Sequence, residues 1–169
     1  MKEHILEVRK VIQPKYCDKI IKYFSEDLEE AQIGTPTQKV KIDKNTRNCK
    51  VKHLLNDETS FGKKLAINYV KTKILEAVSL YTKNNRFLYV SNLSQLDILK
   101  YESNSSSAGY SFHVDFAKDA SQRAISISIC LNNDFSGGEF IFDLNGEKIS
   151  FTQNKVTSGT RYALVGWMI

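Results

Sequence analysis

Ala124-Ile-Ser-Ile-Ser-Ile-Cys-Leu131 alternates apolar and polar residues without a break. Successive side chains of an extended strand point to opposite faces. Ile125, Ile127, Ile129 and Leu131 therefore share one face, and Ser126, Ser128 and Cys130 the other. That is the pattern of a half-buried strand. Downstream, Ser136-Gly137-Gly138 reads as a turn, residues 139–143 as a strand and Asn145-Gly146 as a hairpin turn. Residues 148–151 and 161–168 complete the set. Upstream, residues 87–90 and 96–101 read as strands, with a polar, small-residue loop over 103–109.

Before residue 86 the texture is mainly helical. Residues 8–12 read as a short strand. Pro14 then suits the first turn of a helix, and Cys17, Ile20, Ile21, Phe24 and Leu28 follow at helical spacing until Gly34 and Pro36 end it. A second helix is predicted from Asp57 as N-cap to about Tyr81, with Phe61, Leu65, Tyr69 and Val70 on one stripe. Helices followed by many short antiparallel strands predict an α+β domain whose second half is a barrel or two-sheet jelly roll. At 169 residues the chain suits one domain, with a helical part over about 1–85 and a jelly-roll part over about 86–169.

Composition excludes several classes. No stretch approaches the roughly 18 apolar residues of a membrane span, and the opening residues lack the apolar core of a signal peptide. Cys17, Cys49 and Cys130 are odd in number and widely spaced, which fits reduced thiols and a cytoplasmic protein. The net charge of +5 includes a run at Lys39, Lys41, Lys44, Arg47, Lys50 and Lys52. No aromatic residues interleave these cations to stack on bases, so a solvated loop or edge strand is the expectation and nucleic acid is not the expected partner. The abundance of lysine and asparagine hints at an AT-rich microbial or viral genome.

Chemistry enters at His113-Val-Asp115. On an extended strand a His-x-Asp step projects two ligands to the same side. The pair is two-thirds of the triad of two histidines and one carboxylate that holds non-haem Fe(II). The third ligand should be a later histidine, but His4, His53 and His113 are the only histidines.

The motifs around the pair occur in a particular order. Tyr101 is followed by a Gly-bearing loop and Tyr110-Ser-Phe-His113-Val-Asp115, then by Arg123-Ala-Ile-Ser126 and Leu131-Asn132. Gly137-Gly138-Glu139 comes next, and the chain closes with Val156-Thr-Ser-Gly-Thr-Arg161-Tyr and Trp167. This order closely resembles the prolyl 4-hydroxylase-like branch of the Fe(II)/2-oxoglutarate-dependent dioxygenases. The N-terminal segment from Val11 to Ile21 is similar to that family's first helix, so the likeness spans nearly the whole chain. It implies N-terminal helices packed on a double-stranded β-helix (jelly-roll) core. It also implies Fe(II), 2-oxoglutarate as cosubstrate, ascorbate as a reductant, and hydroxylation of a prolyl residue in a peptide or protein.

Residue by residue, the resemblance implies His113 and Asp115 as iron ligands and Arg161 as the cation for the distal carboxylate of 2-oxoglutarate. A guanidinium is a planar fork suited to that group. Tyr101 matches a tyrosine that helps bind the cosubstrate, with a core aromatic as the competing reading. Tyr110 lines the substrate side or simply packs. Ser126 and Ser128 either leave room inside the barrel or pack in the core, and Phe140, Phe142 and Trp167 are assigned to the core.

The departure from the family is local. Residues 148–155 match the stretch before the distal histidine's strand, and residues 156–161 match the stretch just after that histidine. The favoured expectation is a segment carrying that histidine, skipped between Lys155 and Val156. A true deletion would make a catalytically inactive jelly-roll relative that binds a peptide or protein. Replacement by Gln153 or Asn154 is the third reading, and amide oxygens are poor substitutes for imidazole. Neither the substrate nor the oligomeric state is legible.

Overall fold

The computed structural model describes residues 4–34, 40–55, 60–103, 108–115, 122–144, 147–150 and 155–169. In chain order the elements are helix α1 (Pro14–Phe24), strands β1 (Glu29–Glu30), β2 (Arg47–Asn48) and β3 (Lys50–His53), and helix α2 (Phe61–Asn84). Then come β4 (Leu93–Glu102), β5 (Gly109–Tyr110), β6 (Ile125–Cys130), β7 (Phe135–Gly137), β8 (Ile141–Leu144), β9 (Glu147–Ser150) and β10 (Val156–Met168). The main sheet runs β1-β3-β4-β10-β6, with β7 also paired to β10. Its central ladder, β4 against β10, is antiparallel and pairs Tyr101 with Arg161, Leu99 with Ala163, Asp97 with Val165 and Gln95 with Trp167. β2 pairs β5 and β8 pairs β9 in two small antiparallel sheets.

One face of the main sheet packs on the helices. Ile20 and Phe24 of α1 and Ile67, Val70 and Ile74 of α2 join Leu96, Ile98, Leu164 and Met168 in one core. Ile98 and Leu164 are wholly buried, and each such side chain contributes about 1.5–3 kcal/mol. The alternation of β6 holds in space. Ile125, Ile127 and Ile129 pack against this core, while Ser126, Ser128 and Cys130 face away from it and stay exposed.

Several local expectations are corrected. Residues 8–12 and 87–90 form no strand. Phe87 and Tyr89 are 105% and 87% exposed, because no neighbouring strand covers that apolar run. α1 stops at Phe24 rather than near Gly34, with the Ser25 N–H donating to the Ile21 carbonyl; Asp27 then takes φ 58, which a continuing helix forbids. α2 is capped at Ser60 and extends to Asn84. Its buried stripe is Ile67, Val70, Ile74 and Val78, whereas Phe61 and Leu65 are exposed. Apolar residues lie on more than one side of that helix, so spacing alone did not single out the covered side. Asp57, Pro36, Lys39, residues 104–107, Asn145, Gly146, Gln153 and Asn154 lie outside the described residues.

The sheet also draws on the first half of the chain. β3 pairs β4 antiparallel, with His53 opposite Asp97, so a division near residue 85 does not separate helix from sheet. The lysine run falls on this edge. Lys41 pairs with Asp43, Lys44 with Glu30, Lys50 with Glu102 and Lys52 with Asp27. Among the described residues no helix is long and apolar enough to cross a membrane.

Candidate metal-binding cavity

The second face of the main sheet borders an open cavity of about 1940 Å³, which also extends to helix α2 and the N-terminal residues. Strand register decides what stands on that face. Gln95, Asp97, Leu99 and Tyr101 of β4 and Arg161, Ala163, Val165 and Trp167 of β10 are opposed residue for residue, and all eight border the cavity. Ser126 and Ser128 of β6 continue two of these rows opposite Trp167 and Val165. Trp167 is therefore a cavity residue rather than part of the core. Phe140, 39% exposed, packs edge-on against Phe142, and neither belongs to a buried cluster. The cause is parity: every second residue of β10 leaves the helix-covered side.

His113, Asp115, Arg161, Tyr101 and Tyr110 all border this one cavity. His113 and Asp115 do not sit on a strand, as the motif suggested. β5 ends at Tyr110, and residues 111–115 are irregular. They nevertheless face the same way, with His113 Nε2 and Asp115 Oδ1 3.4 Å apart. The His113 ring stacks on Tyr110 at 3.7 Å between centroids and 19° between planes. His113 Nδ1 lies 2.8 Å from the Ser111 carbonyl. Donation there leaves the lone pair of the neutral ring on Nε2, the arrangement that orients a metal-ligating histidine.

Asp115 is held from three sides. Ser126 Oγ donates to Oδ2 at 2.6 Å, and Arg123 Nη1 donates to the backbone carbonyl at 3.3 Å. The His113 imidazole beside it, then Ser126, hold the Asp115 carboxyl well below the usual carboxylate range against the opposing pull of burial. Burial resists charging His113, but the Asp115 carboxylate and the Ser111 carbonyl outweigh it and raise the imidazole pKa. At 3.4 Å the two groups make an ion pair only when the imidazole is protonated.

At another part of the cavity the Arg161 guanidinium lies over the Tyr101 ring, 5.5 Å from its centroid. No carboxylate pairs with Arg161 among the described ion pairs. Tyr101 is at once a cavity residue and a buried aromatic, clustered with Cys49, Val51, Leu99 and Val156. Burial pushes its phenol pKa far up, so it is a proton donor at all ordinary pH. Gly138, at φ +84, makes room for Arg161, since a Cβ there would lie 3.0 Å from the arginine Cδ. A Cβ on Gly137 would strike the Lys155 carbonyl at 1.7 Å. Both positions of the Gly-Gly turn are thus fixed by close approach as well as by φ.

Sequence reasoning gave no role to His53, Gln95 or Asp97, which border the cavity, and expected Arg47 to be solvated, whereas it borders the cavity with its Nε buried. Arg47 packs over Tyr110 at 4.9 Å. A visible signal did exist: Asp97 interrupts an apolar strand between Leu96 and Ile98.

The donors partly fit an octahedral cation. Two ligands at right angles on bonds of about 2.1 Å stand about 3 Å apart, close to the 3.4 Å observed. A third donor is not supplied, because no group of three His, Cys, Asp or Glu that could hold a metal occurs among the described residues. Lys155 leads straight into Val156, whose N–H bonds the Ala108 carbonyl at 3.2 Å. No histidine follows His113.

The sequence matches no family model, and no curated protein matches it. Its fold does match solved structures. A prolyl hydroxylase from Trichoplax adhaerens, in complex with a hypoxia inducible factor oxygen degradation domain peptide fragment, superposes with a TM-score of 0.70 at 14% identity, covering 92% of this chain and 77% of that one. A prolyl 4-hydroxylase of Pseudomonas putida gives 0.63 at 16% identity over 98% and 89%. A viral collagen prolyl hydroxylase from Paramecium Bursaria Chlorella virus-1, in its 2-oxoglutarate complex, gives 0.56 at 14% identity over 95% and 93%. The likeness read from motif order is met again in the fold, and the cavity lies in a chain folded as these prolyl hydroxylases are.

Proposed function

We propose that this cavity is the site of an Fe(II)- and 2-oxoglutarate-dependent dioxygenase on a double-stranded β-helix, hydroxylating a prolyl residue in a peptide or protein. The observation that carries the reading is the convergence of His113 Nε2 and the Asp115 carboxylate, 3.4 Å apart, on a cavity that Arg161 also borders. Bound iron, with 2-oxoglutarate and O₂ as co-reactants, would supply the oxidising chemistry. The chain's own residues bind and orient. Ser111 fixes the His113 tautomer, and Ser126 and His113 keep Asp115 ionised. Arg161, stacked on Tyr101, offers a fork to a carboxylate. Tyr110 forms the wall beside His113.

Lys155 and Val156 are adjacent in the 169-residue sequence, so the expected segment that would carry a distal histidine between them is not there. For the 169-residue chain, free imidazole can stand in for the missing side chain. Aerobic conversion of 2-oxoglutarate to succinate, with Fe(II), ascorbate and millimolar imidazole, is the decisive measurement. No succinate with or without imidazole rejects the enzyme.

A second reading has its own observation. No third ligand occurs among the described residues, which favours a catalytically inactive relative that keeps the cavity to bind a peptide or protein. Peptide binding that is indifferent to Mn(II) and 2-oxoglutarate would support it.

A further inference from the structure

Asp97 is the one charged side chain buried among the described residues, 2% exposed. Such a carboxylate is costly unless it is paired and hydrogen-bonded. Both its oxygens are engaged: His53 Nδ1 lies 2.7 Å from Oδ1, and Gln95 Nε2 donates to Oδ2 at 2.7 Å. That second bond orients the glutamine amide and turns its Oε1 toward Arg123, whose Nη2 donates to it at 3.3 Å. The other arm of Arg123, Nη1, donates to the backbone carbonyl of Asp115 at 3.3 Å. The guanidinium is stacked 4.0 Å over the Trp167 ring. A continuous set of polar contacts thus runs from His53 on β3, through two residues of β4, to the main chain between the candidate metal ligands and β6.

The described part of the loop it reaches, residues 111–115, is held mainly by side-chain contacts. Ser111 N–H bonds the Thr46 carbonyl at 2.9 Å; beyond it residues 112–115 belong to no ladder. Ser126 holds the Asp115 carboxylate and Arg123 the Asp115 carbonyl. A site of this kind has to be held within about 0.5 Å of its working geometry.

We propose that Asp97 is a positioning residue: paired with His53, it fixes Gln95 and Arg123 and so sets the backbone that carries Asp115 before any metal arrives. The part of this inference that concerns metal rests on the function proposed above; the part that concerns the loop does not.

Backbone amide order parameters of metal-free protein separate the two. In the natural sequence Val114 and Asp115 should be near the rigid value of about 0.85, and in Gln95→Leu they should fall below about 0.6. The amides of β4 and β10 should stay unchanged. Mn(II) affinity should fall about tenfold, the scale of losing an outer partner of a metal ligand. Asp97→Asn, which keeps shape and one acceptor, should loosen the same two amides less. Arg123→Gln combined with Gln95→Leu should be no worse than Arg123→Gln alone, because both act through one contact. Rigid Val114 and Asp115 in both Gln95→Leu and Asp97→Asn overturn the inference, as does additive loosening in the double variant. If neither variant nor natural protein binds Mn(II) but the amides respond as described, the positioning role stands and only the dioxygenase reading fails.

Discussion

Two histidine–carboxylate pairs face the same cavity and are built in opposite ways. In His53–Asp97 the ring nitrogen nearest the backbone meets a carboxylate that is 2% exposed, at 2.7 Å. In His113–Asp115 that nitrogen is committed to the Ser111 carbonyl, and the outer nitrogen stands 3.4 Å from a carboxylate that is 34% exposed. The first pair is closed on itself. The second leaves two lone pairs converging on a space that neither group fills. A histidine beside an aspartate therefore says little; which nitrogen is free, and what else the carboxylate touches, separates a structural pair from a candidate ligand pair.

The largest effect that could break this contrast is on metal binding. Asp115→Ala should weaken Mn(II) binding about 100-fold or more, beyond the roughly 10–100-fold cost of losing an outer partner, whereas Asp97→Ala should stay near tenfold. Titration calorimetry of both variants measures it. Equal losses would mean that the closed pair is a ligand too.

Stability should rank the pairs the other way. Asp97→Ala removes hydrogen bonds to a buried charge and should cost about 2–3 kcal/mol in urea unfolding of metal-free protein. Asp115→Ala, at a part-exposed ion pair, should cost under about 1 kcal/mol. A larger cost at Asp115 would make that pair structural.

Arg161→Ala should weaken 2-oxoglutarate binding roughly tenfold, as expected for loss of charge-assisted hydrogen bonds. Gly138→Ala should reproduce part of that loss by crowding the arginine Cδ. Unchanged affinity in Arg161→Ala would remove the cosubstrate role from that residue.

On stability the smallest effect is the response to pH, and it should belong to the open pair. The His113 pKa is raised from 6.5 in the folded protein, so its contribution to stability is complete below 6.5 and fades as pH rises through the raised value. The Asp115 pKa is lowered from 3.8, so its contribution is present above 3.8 and fades as acid passes the lowered value. Metal-free protein should thus gain slightly from the pair between those limits, discounted because both groups are partly exposed. Metal binding needs neutral His113, so Mn(II) affinity should fall by up to about tenfold per pH unit below the raised pKa. His113→Gln should abolish the trend above 6.5 and leave part of the acid-side trend, because Ser126 still holds Asp115. A pH response above 6.5 that survives in that variant would assign it elsewhere.

Much of the outline was legible in the sequence because it is local. Pro14 and the spacing from Cys17 to Phe24 place α1, and the serine–isoleucine alternation places β6 with the correct face inward. Asn145-Gly146 signals a hairpin, and the residues on either side of it pair as Leu144 with Glu147. The apolar runs at 8–12 and 87–90 misled because a strand needs a neighbour to bond with, and a run of residues carries no information about whether one is there.

The sequence by itself determined the periodicities, the His113-x-Asp115 spacing and the order of motifs that resembles the prolyl hydroxylases. Each depends on residues close together in the chain, whose relation is set by backbone geometry. Only the tertiary structure decided that Asp97 meets His53 across 44 residues, that Gln95 meets Arg123 across 28, and that Trp167 lies under that arginine rather than in the core. Those contacts arise from the register of β3, β4 and β10. Register is settled by burying Leu96, Ile98, Leu164 and Met168 against the helices, and a one-residue slip would turn all of them, and the cavity floor with them, to the opposite face.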